Sequence, residues 1–401
     1  MKKYAILIVI LFSIIPLFSE VFWSGYYETE LNGYDFPQNK VLTNYHKFRL
    51  NLDISPSRNI KIGGNMIYKH YGMDTEYNLM TFLPEKYRGL QSSSNDFYSI
   101  PNYNYSLKDT IFIDNLYFRL HHKYFDLILG KQQLPIGVGY AWNPLDIFNK
   151  KDIFDPTYEN RGHNAFQLNI PISSQFSFTG IIQTESQFDN FTHFYELQAW
   201  LGSFDVSLVY AREKYDITTK FDLQERISQT SSSNAMARPL REIGGFSAEG
   251  ELLGLGVRTE IAANKFENEM NDLKYEYIVG LDYTFTNSLY ILTEFHHNDL
   301  GAKVNNTGLL NYLQYFRYEK KSVNKNYAFG MMQYPITDLA TGSLSGIVNF
   351  DDRSVVINPE LVYRIYQDVE ITLMGNYFVG GQQDEFGYQK YGGRIRLRAY
   401  F

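Results

Sequence analysis

Apolar and polar side chains alternate one by one through nearly every stretch of this chain after about residue 20, in runs of roughly eight to fourteen residues. A period of two marks strands with unlike faces. The last run shows it plainly: Arg394, Arg396 and Arg398 share one face, while Ile395, Leu397, Ala399 and Phe401 share the other, because successive side chains of a strand point to opposite sides. About eighteen such strands can be read, near 21–32, 41–54, 59–71, 110–121, 124–133, 163–171, 175–185, 193–201, 204–213, 241–251, 255–265, 273–284, 288–298, 325–335, 339–349, 354–365, 369–379 and 389–401, with sixteen as the alternative count.

The connections sort into two kinds. Short turns at Ser55-Pro56-Ser57, Lys123, Ser173-Ser174, Gly202-Ser203, Leu253-Gly254, Thr286-Asn287, Pro335-Ile336-Thr337 and Tyr366-Gln367-Asp368 alternate with longer segments, of which 72–109, 134–162, 214–240 and 299–324 are the longest. Short turns at one rim and long loops at the other are the arrangement of a transmembrane β-barrel, and an even strand count returns the chain to the rim where it started. The fold class expected is therefore all-β: a transmembrane antiparallel β-barrel occupying residues 20–401, with no second domain. Loops longer than about 15 residues are uncommon inside a compact soluble domain, whereas the rim of a barrel tolerates them.

Ahead of the strands stand Met1-Lys2-Lys3, an apolar run from Tyr4 to Phe18, and Ser19-Glu20. A basic head and an apolar core of this length read as a signal peptide over 1–19, too short to span a bilayer comfortably. The destination implied for the barrel is the outer membrane of a bacterial cell. The chain has no cysteine, which removes disulfides, thiolate nucleophiles and thiolate metal ligands. It carries 34 Tyr and 30 Phe at a mean hydropathy of −0.32. A barrel reconciles the two, since only alternate residues meet lipid and aromatic girdles sit at both interfaces. The formal net charge of −7 provides no basic field for nucleic acid.

The charged face of each strand cannot be the lipid face, because an Arg or Lys facing lipid at mid-depth costs about 2–4 kcal/mol. This assignment turns Lys47, Arg49, Asn51 and Asp53 inward opposite Phe48, Leu50, Leu52 and Ile54, and turns Glu276 and Asp282 inward opposite Tyr275, Tyr277, Val279 and Leu281. Arg258 and Glu260 also face inward. The expected pore-lining bases are Lys47, Arg49, Arg119, Arg394, Arg396 and Arg398, and the expected acids are Glu28, Glu30, Glu276, Glu294 and Glu360. Closing the barrel must bring the first strand beside the last, so Glu28 and Glu30 meet the Arg394, Arg396 and Arg398 face. Those charges can serve as wall salt bridges, as a transverse field that orients solutes, or as both. Eighteen strands enclose more space than their own side chains fill, which leaves an aqueous channel unless something folds in.

The segment that can fold in follows the fifth strand. Gly137 and Gly139 permit close backbone packing, Pro144 and Pro156 stiffen the return, and Tyr140, Trp142, Phe148 and Phe154 are too apolar for a loop held in water. The inner wall is the expected partner, with Tyr140, Trp142, Asn143, Asp146 and Phe148 as constriction candidates. The run Gly130-Lys131-Gln132, a Gly-x-Gly, and then Trp142-Asn143-Pro144-x-Asp146-x-Phe148-Asn149 resembles a signature of large outer-membrane porins of the alginate-export-like kind. The resemblance implies an 18-stranded, typically monomeric channel with a charged constriction that guides anionic or polar substrates. The many carboxylates interleaved with the arginines speak against alginate itself.

Other classes draw less support. Adjacent residues of a strand face opposite ways, so neither His121-His122 nor His296-His297 chelates one ion with both rings, and no metal or cofactor is expected. No nucleophile elbow or fixed acid–base pair marks an enzyme. The first strand begins at once at Val21-Phe22-Trp23, with no hatch domain ahead of it. The expected function is passive diffusion of small polar or anionic solutes through an outer-membrane channel. Its partners are membrane lipid and the solutes, and the absence of an interface pattern distinct from the lipid-facing one points to a monomer. The alternative is a structural or adhesive barrel acting through loops such as Gln91 to Ser106 and Lys220 to Ala235.

Overall fold

The computed structural model describes residues 20–36, 39–84, 104–151, 155, 158–184, 191–214, 240–267, 272–302, 312, 315 and 321–401. The expected signal peptide 1–19 lies outside the described residues, as do 85–103 and 215–239, which hold most of the segments read as adhesive loops.

The strands are β1 (Glu20–Phe36), β2 (Asn39–Ser57), β3 (Ile60–Met73), β4 (Glu76–Asn78), β5 (Asn104–Ser106), β6 (Thr110–His122), β7 (Phe125–Gln132), β8 (His163–Pro171), β9 (Phe176–Thr184), β10 (Phe191–Leu201), β11 (Phe204–Lys214), β12 (Leu240–Leu252), β13 (Leu255–Phe266), β14 (Lys274–Thr284), β15 (Tyr290–Asn298), β16 (Asn326–Thr337), β17 (Ala340–Asn349), β18 (Val355–Tyr366), β19 (Val369–Val379) and β20 (Tyr391–Tyr400). β4 and β5 pair only with each other. The other 18 strands form one antiparallel sheet in which each pairs with its neighbour along the chain. β1 and β20 close it into a barrel, in the register Glu28↔Arg398, Glu30↔Arg396 and Asn32↔Arg394. All the strands expected from the alternation are present, and the count of sixteen is set aside.

Closure leaves no sheet edge, so every strand satisfies its backbone groups on both sides, the condition for crossing hydrocarbon. At the seam, Gly25 and Phe401 exchange backbone hydrogen bonds of 3.0 Å in both directions, and the Phe401 ring stacks on Phe48 at 5.7 Å. The outward positions are exposed and apolar or aromatic. On β11, Leu208 and Tyr210 face out while Ser207, Val209 and Ala211 are buried inward. On β14, Tyr275, Val279 and Leu281 face out while Glu276 and Ile278 are buried inward.

One feature departs from the expected polar lining. Over a broad arc from β8 to β18 the inward face carries fully covered apolar side chains, as at Ile181, Phe194, Ile243, Ile278, Leu292 and Ile347, among buried polar ones such as Glu260, Glu276 and Glu294. Bare alkyl groups do not line water at this density, and here they carry a loop packed on them.

Candidate functional site

The segment between β7 and β8 lies inside the barrel in two lobes. The first runs from Leu134 to Asn149 and is tied at its neck, where Asn149 Nδ2 donates to Leu134 O at 2.7 Å and to Asp146 Oδ2 at 3.0 Å. Asp146 Oδ1 accepts the backbone amides of Phe148 and Asn149, each at 2.9 Å. Burial pushes the Asp146 carboxyl up to about 6, against the pull of Lys321 and these donors. Asn143 Nδ2 bonds Ile136 O at 2.8 Å and so braces the turn. Asn143 and Asp146 thus hold the loop's shape.

The lobe buries two apolar groups against the wall. Leu134, Ile136 and Leu145 join Ile181, Phe194 and Ile243, with Phe148 packed at their margin. Ala141 and Trp142 join Ile278, Leu292 and Phe329, and the Tyr140 ring lies 5.4 Å from Phe329. Glycines on the wall and in the loop make this approach possible. A Cβ on Gly245 would fall 2.1 Å from Leu145 Cδ2, and one on Gly139 would fall 1.8 Å from Trp142 O and 2.5 Å from Ile278 Cδ1.

Two wall carboxylates fasten the lobe. Glu260 on β13 accepts the backbone N–H groups of Val138, Gly139 (3.0 Å) and Leu145 (3.0 Å). Glu294 on β15 accepts those of Tyr140 (2.6 Å), Ala141 (3.0 Å) and Trp142 (2.9 Å). Both carboxylates are buried, and six amides that could bond neither helix nor sheet are satisfied. Beside them the Trp142 ring stacks on His296 at 4.8 Å with an interplanar angle of 6°, and His296 Nε2 sits 3.0 Å from Glu276 Oε1. The Lys321 ammonium donates to the carbonyls of Asn143 and Pro144.

The second lobe crosses to the opposite wall. Asp155 Oδ2 meets Arg394 Nη1 at 3.1 Å and Arg396 Nη2 at 2.7 Å. Glu159 Oε2 meets Lys47 Nζ at 3.0 Å and Arg49 Nη1 at 2.8 Å, and the Tyr26 hydroxyl reaches both Glu159 oxygens at 2.9 Å. The Tyr158 hydroxyl donates to Glu28 Oε1 at 3.1 Å and accepts from Lys47 Nζ at 3.0 Å. Across the seam Arg396 Nε binds Glu30 Oε2 at 2.6 Å and Arg398 Nε binds Glu28 Oε2 at 2.7 Å.

The structure thus gathers Lys47 and Arg49 of β2 and Arg394, Arg396 and Arg398 of β20 into one basic ladder, with Glu28 and Glu30 of β1 between them. These two acids sit in seam ion pairs within the ladder, so the acidic side of the bore is built by other residues. Arg119 stands apart at the rim of short turns, where its Nη2 lies 2.5 Å from Asp126 Oδ2. Glu276 and Glu294 lie on the wall that carries the first lobe, and Glu360 is on β18 with Ser343 Oγ at 3.5 Å. Toward the short turns the inward positions are polar and partly open, including Lys61 paired with Asp53 at 3.0 Å, Arg258 paired with Asp282, and Gln167, Asn169 and Thr179 hydrogen-bonded among themselves. Sequence reasoning placed Glu260 inward without its task and missed Asp155, Tyr158, Glu159 and Lys321. Phe154 and Pro156 lie outside the described residues.

No protein-family model and no curated protein matches the chain. Solved structures do match over nearly the whole length. Acinetobacter baumannii OccAB1 aligns at a TM-score of 0.59 and 10% identity, covering 96% of this chain and 97% of its own. Pseudomonas aeruginosa OccK9 (OpdG) aligns at 0.59 and 10%, covering 96% and 99%. Pseudomonas aeruginosa OccK2 (OpdF), solved in complex with glucuronate, aligns at 0.57 and 7%, covering 96% and 99%. At such identities the likeness is one of fold, which this chain shares with these three proteins over nearly its whole length.

Proposed function

We propose that this protein is a bacterial outer-membrane channel through which small polar or anionic solutes diffuse passively. The observation that carries the reading is the charged cross-section of the bore: a basic ladder on β20 and β2, flanking β1, faces a loop folded in from β7, inside a closed barrel with an apolar outer belt. In a ring of 18 strands β12 lies halfway round from β1. The inward acids Glu196, Asp205 and Glu249 belong to β10, β11 and β12, beside the Arg241–Glu213 pair, and set a field across the bore against the arginines of β20. Such a field orients dipolar and anionic solutes as they pass. Likeness to a porin fold that has been solved with glucuronate supports the same class of cargo.

The signal peptide over 1–19, the monomeric state and a non-enzymatic role belong to this reading. The resemblance of 130–149 to alginate-export-like porins supports a constricting role for the loop. A polyuronate is a poor fit as cargo, because Glu28, Glu30, Asp155 and Glu159 already occupy much of the ladder. Conductance and reversal potential in a planar bilayer at asymmetric salt test the proposal. Discrete open steps with anion preference are expected; verified insertion without conductance overturns it.

A further inference from the structure

We propose that the outward face of β10 to β13, at the rim of long loops, binds the phosphate of an outer-leaflet glycolipid, with Arg212 and Lys265 as its cations. The inference rests on the barrel and the membrane around it, and is independent of the solute that crosses the bore.

The register sets out two rows on this face. In the lower row Tyr195 stands opposite Tyr210, Tyr210 opposite Gly244, Gly244 opposite Ala263 and Ala263 opposite Tyr275, and the three tyrosines are exposed. Two residues further along each strand, and so on the same side of the sheet, His193 stands opposite Arg212, Arg212 opposite Glu242 and Glu242 opposite Lys265. Arg212 lies eight residues along β11 from Phe204. At about 3.4 Å per residue and a tilt of about 40°, that is roughly 20 Å up an apolar belt about 25 Å tall. The guanidinium is therefore level with the lipid headgroups, where a charge is tolerated as it is not at mid-depth. The long connection from β11 to β12 marks this as the outer side, where the lipid of a bacterial outer membrane is a phosphorylated glycolipid.

Elsewhere on the outer face charges are matched within the protein. His70 meets Asp109 at 2.8 Å, and Lys325 and His297 share Asp299 at 2.9 and 3.4 Å. Arg212 and Lys265 are exposed, and among the described residues neither is in an ion pair. Glu242 lies between them in the register, but its Oε1 accepts the Tyr210 hydroxyl at 3.4 Å; Glu267 beyond Lys265 accepts the Leu240 amide at 3.4 Å. Lys214, on the same side of β11, adds a third cation above the row. β11 and β13 are two strand spacings apart, about 10 Å, a span that two long basic side chains close on one phosphate group. Below them Gly244 and Ala263 leave a gap between Tyr210 and Tyr275. A Cβ on Gly244 would meet nothing within 4 Å, and the gap opens onto the apolar belt at Phe246 and Ile261. Cations above and an apolar slot below fit the two halves of one lipid.

The test titrates lipid A, either diphosphorylated or with both phosphates removed, into the full-length protein in detergent and counts bound lipid by native mass spectrometry. Wild type is expected to bind the phosphorylated form more than about tenfold more tightly. Arg212→Gln and Lys265→Gln should each weaken that binding about fivefold and together about 25-fold, while Arg119→Gln, an equal loss of charge at the opposite rim, should change it less than about twofold. Glu242→Gln should tighten it about fivefold by removing the acid between the cations. Inorganic phosphate at the lipid's concentration should displace none of it, because a free anion lacks the apolar half. The proposal is overturned if the two forms of lipid A bind wild type alike, if the Arg212 and Lys265 variants lose no more than Arg119→Gln does, or if inorganic phosphate displaces the lipid. Where heat-modifiable mobility shows the double variant unfolded, Glu242→Gln decides: tightening supports the site, and no change overturns it.

Discussion

Removing the two wall carboxylates that hold the loop should change the bore in a graded and predictable way. Glu260→Ala leaves the amides of Val138, Gly139 and Leu145 without an acceptor, and Glu294→Ala does the same to Tyr140, Ala141 and Trp142. A buried donor left unpaired costs roughly 1–3 kcal/mol. Relief of the buried charge and entry of water offset part of that, so the lower end applies: about 3 kcal/mol for one carboxylate and about 6 for both. The opposing term is apolar. Leu134, Ile136, Trp142 and Leu145 are buried in the wall, at roughly 1.5–3 kcal/mol each or about 6–12 together. One loss therefore leaves the lobe docked, and the double loss brings docked and released states near balance. In single-channel recordings each single variant should keep the main conductance with added open-channel noise, and the double variant should populate a second, larger conductance level. A double variant that is folded by heat-modifiable mobility yet shows wild-type conductance and noise would refute the assignment of these glutamates as anchors.

Three further outcomes are expected. Arg396→Met leaves Glu30 and Asp155 to share Arg394 alone and should lower stability in urea unfolding by about 3 kcal/mol, the lower end of the cost of breaking a buried pair, with most of it recovered when Glu30→Gln and Asp155→Asn are added. Glu385, in the loop between β19 and β20, is buried against Tyr327 Oη (2.5 Å) and Asn349 Nδ2 (2.8 Å), and burial pushes its carboxyl from 4.5 up to about 8. The folded state then holds a proton that the unfolded state has released, so this group's contribution to stability falls as pH rises between those two values; Glu385→Gln should flatten that slope in unfolding midpoints taken across the window. Leu208→Lys, on the outward face of β11, should cost about 2–4 kcal/mol in folding from urea into lipid vesicles, while Gln198→Lys on the inward face of β10 should cost little.

The barrel was legible because its signal is local. Alternation needs only a residue and its neighbours, and strand bounds read from it fall within a few residues of the observed ones, as with 163–171 and 369–379. The seam was legible for a different reason: a closed sheet forces first and last strands together, and the period of two then decides which faces meet, so Glu28, Glu30, Arg396 and Arg398 follow from topology. The loop's anchorage had neither support. Val138 and Glu260 stand 122 residues apart and meet only once the wall has curved round, and no local pattern encodes curvature. Yet part of that contact is written in the strands. Ile278 lies between Glu276 and Gly280 on an inward face, and Leu292 precedes Glu294 on another; a face lined by water has no use for either. In a barrel that alternates so regularly, inward apolar positions mark wall that something covers, and the one long loop with Leu134, Ile136, Trp142 and Leu145 in it is the matching surface. The second lobe gave no such sign. Asp155 and Glu159 are ordinary loop acids until the ladder of Arg394, Arg396, Lys47 and Arg49 stands opposite, because an ion pair between distant segments leaves no periodicity in either one.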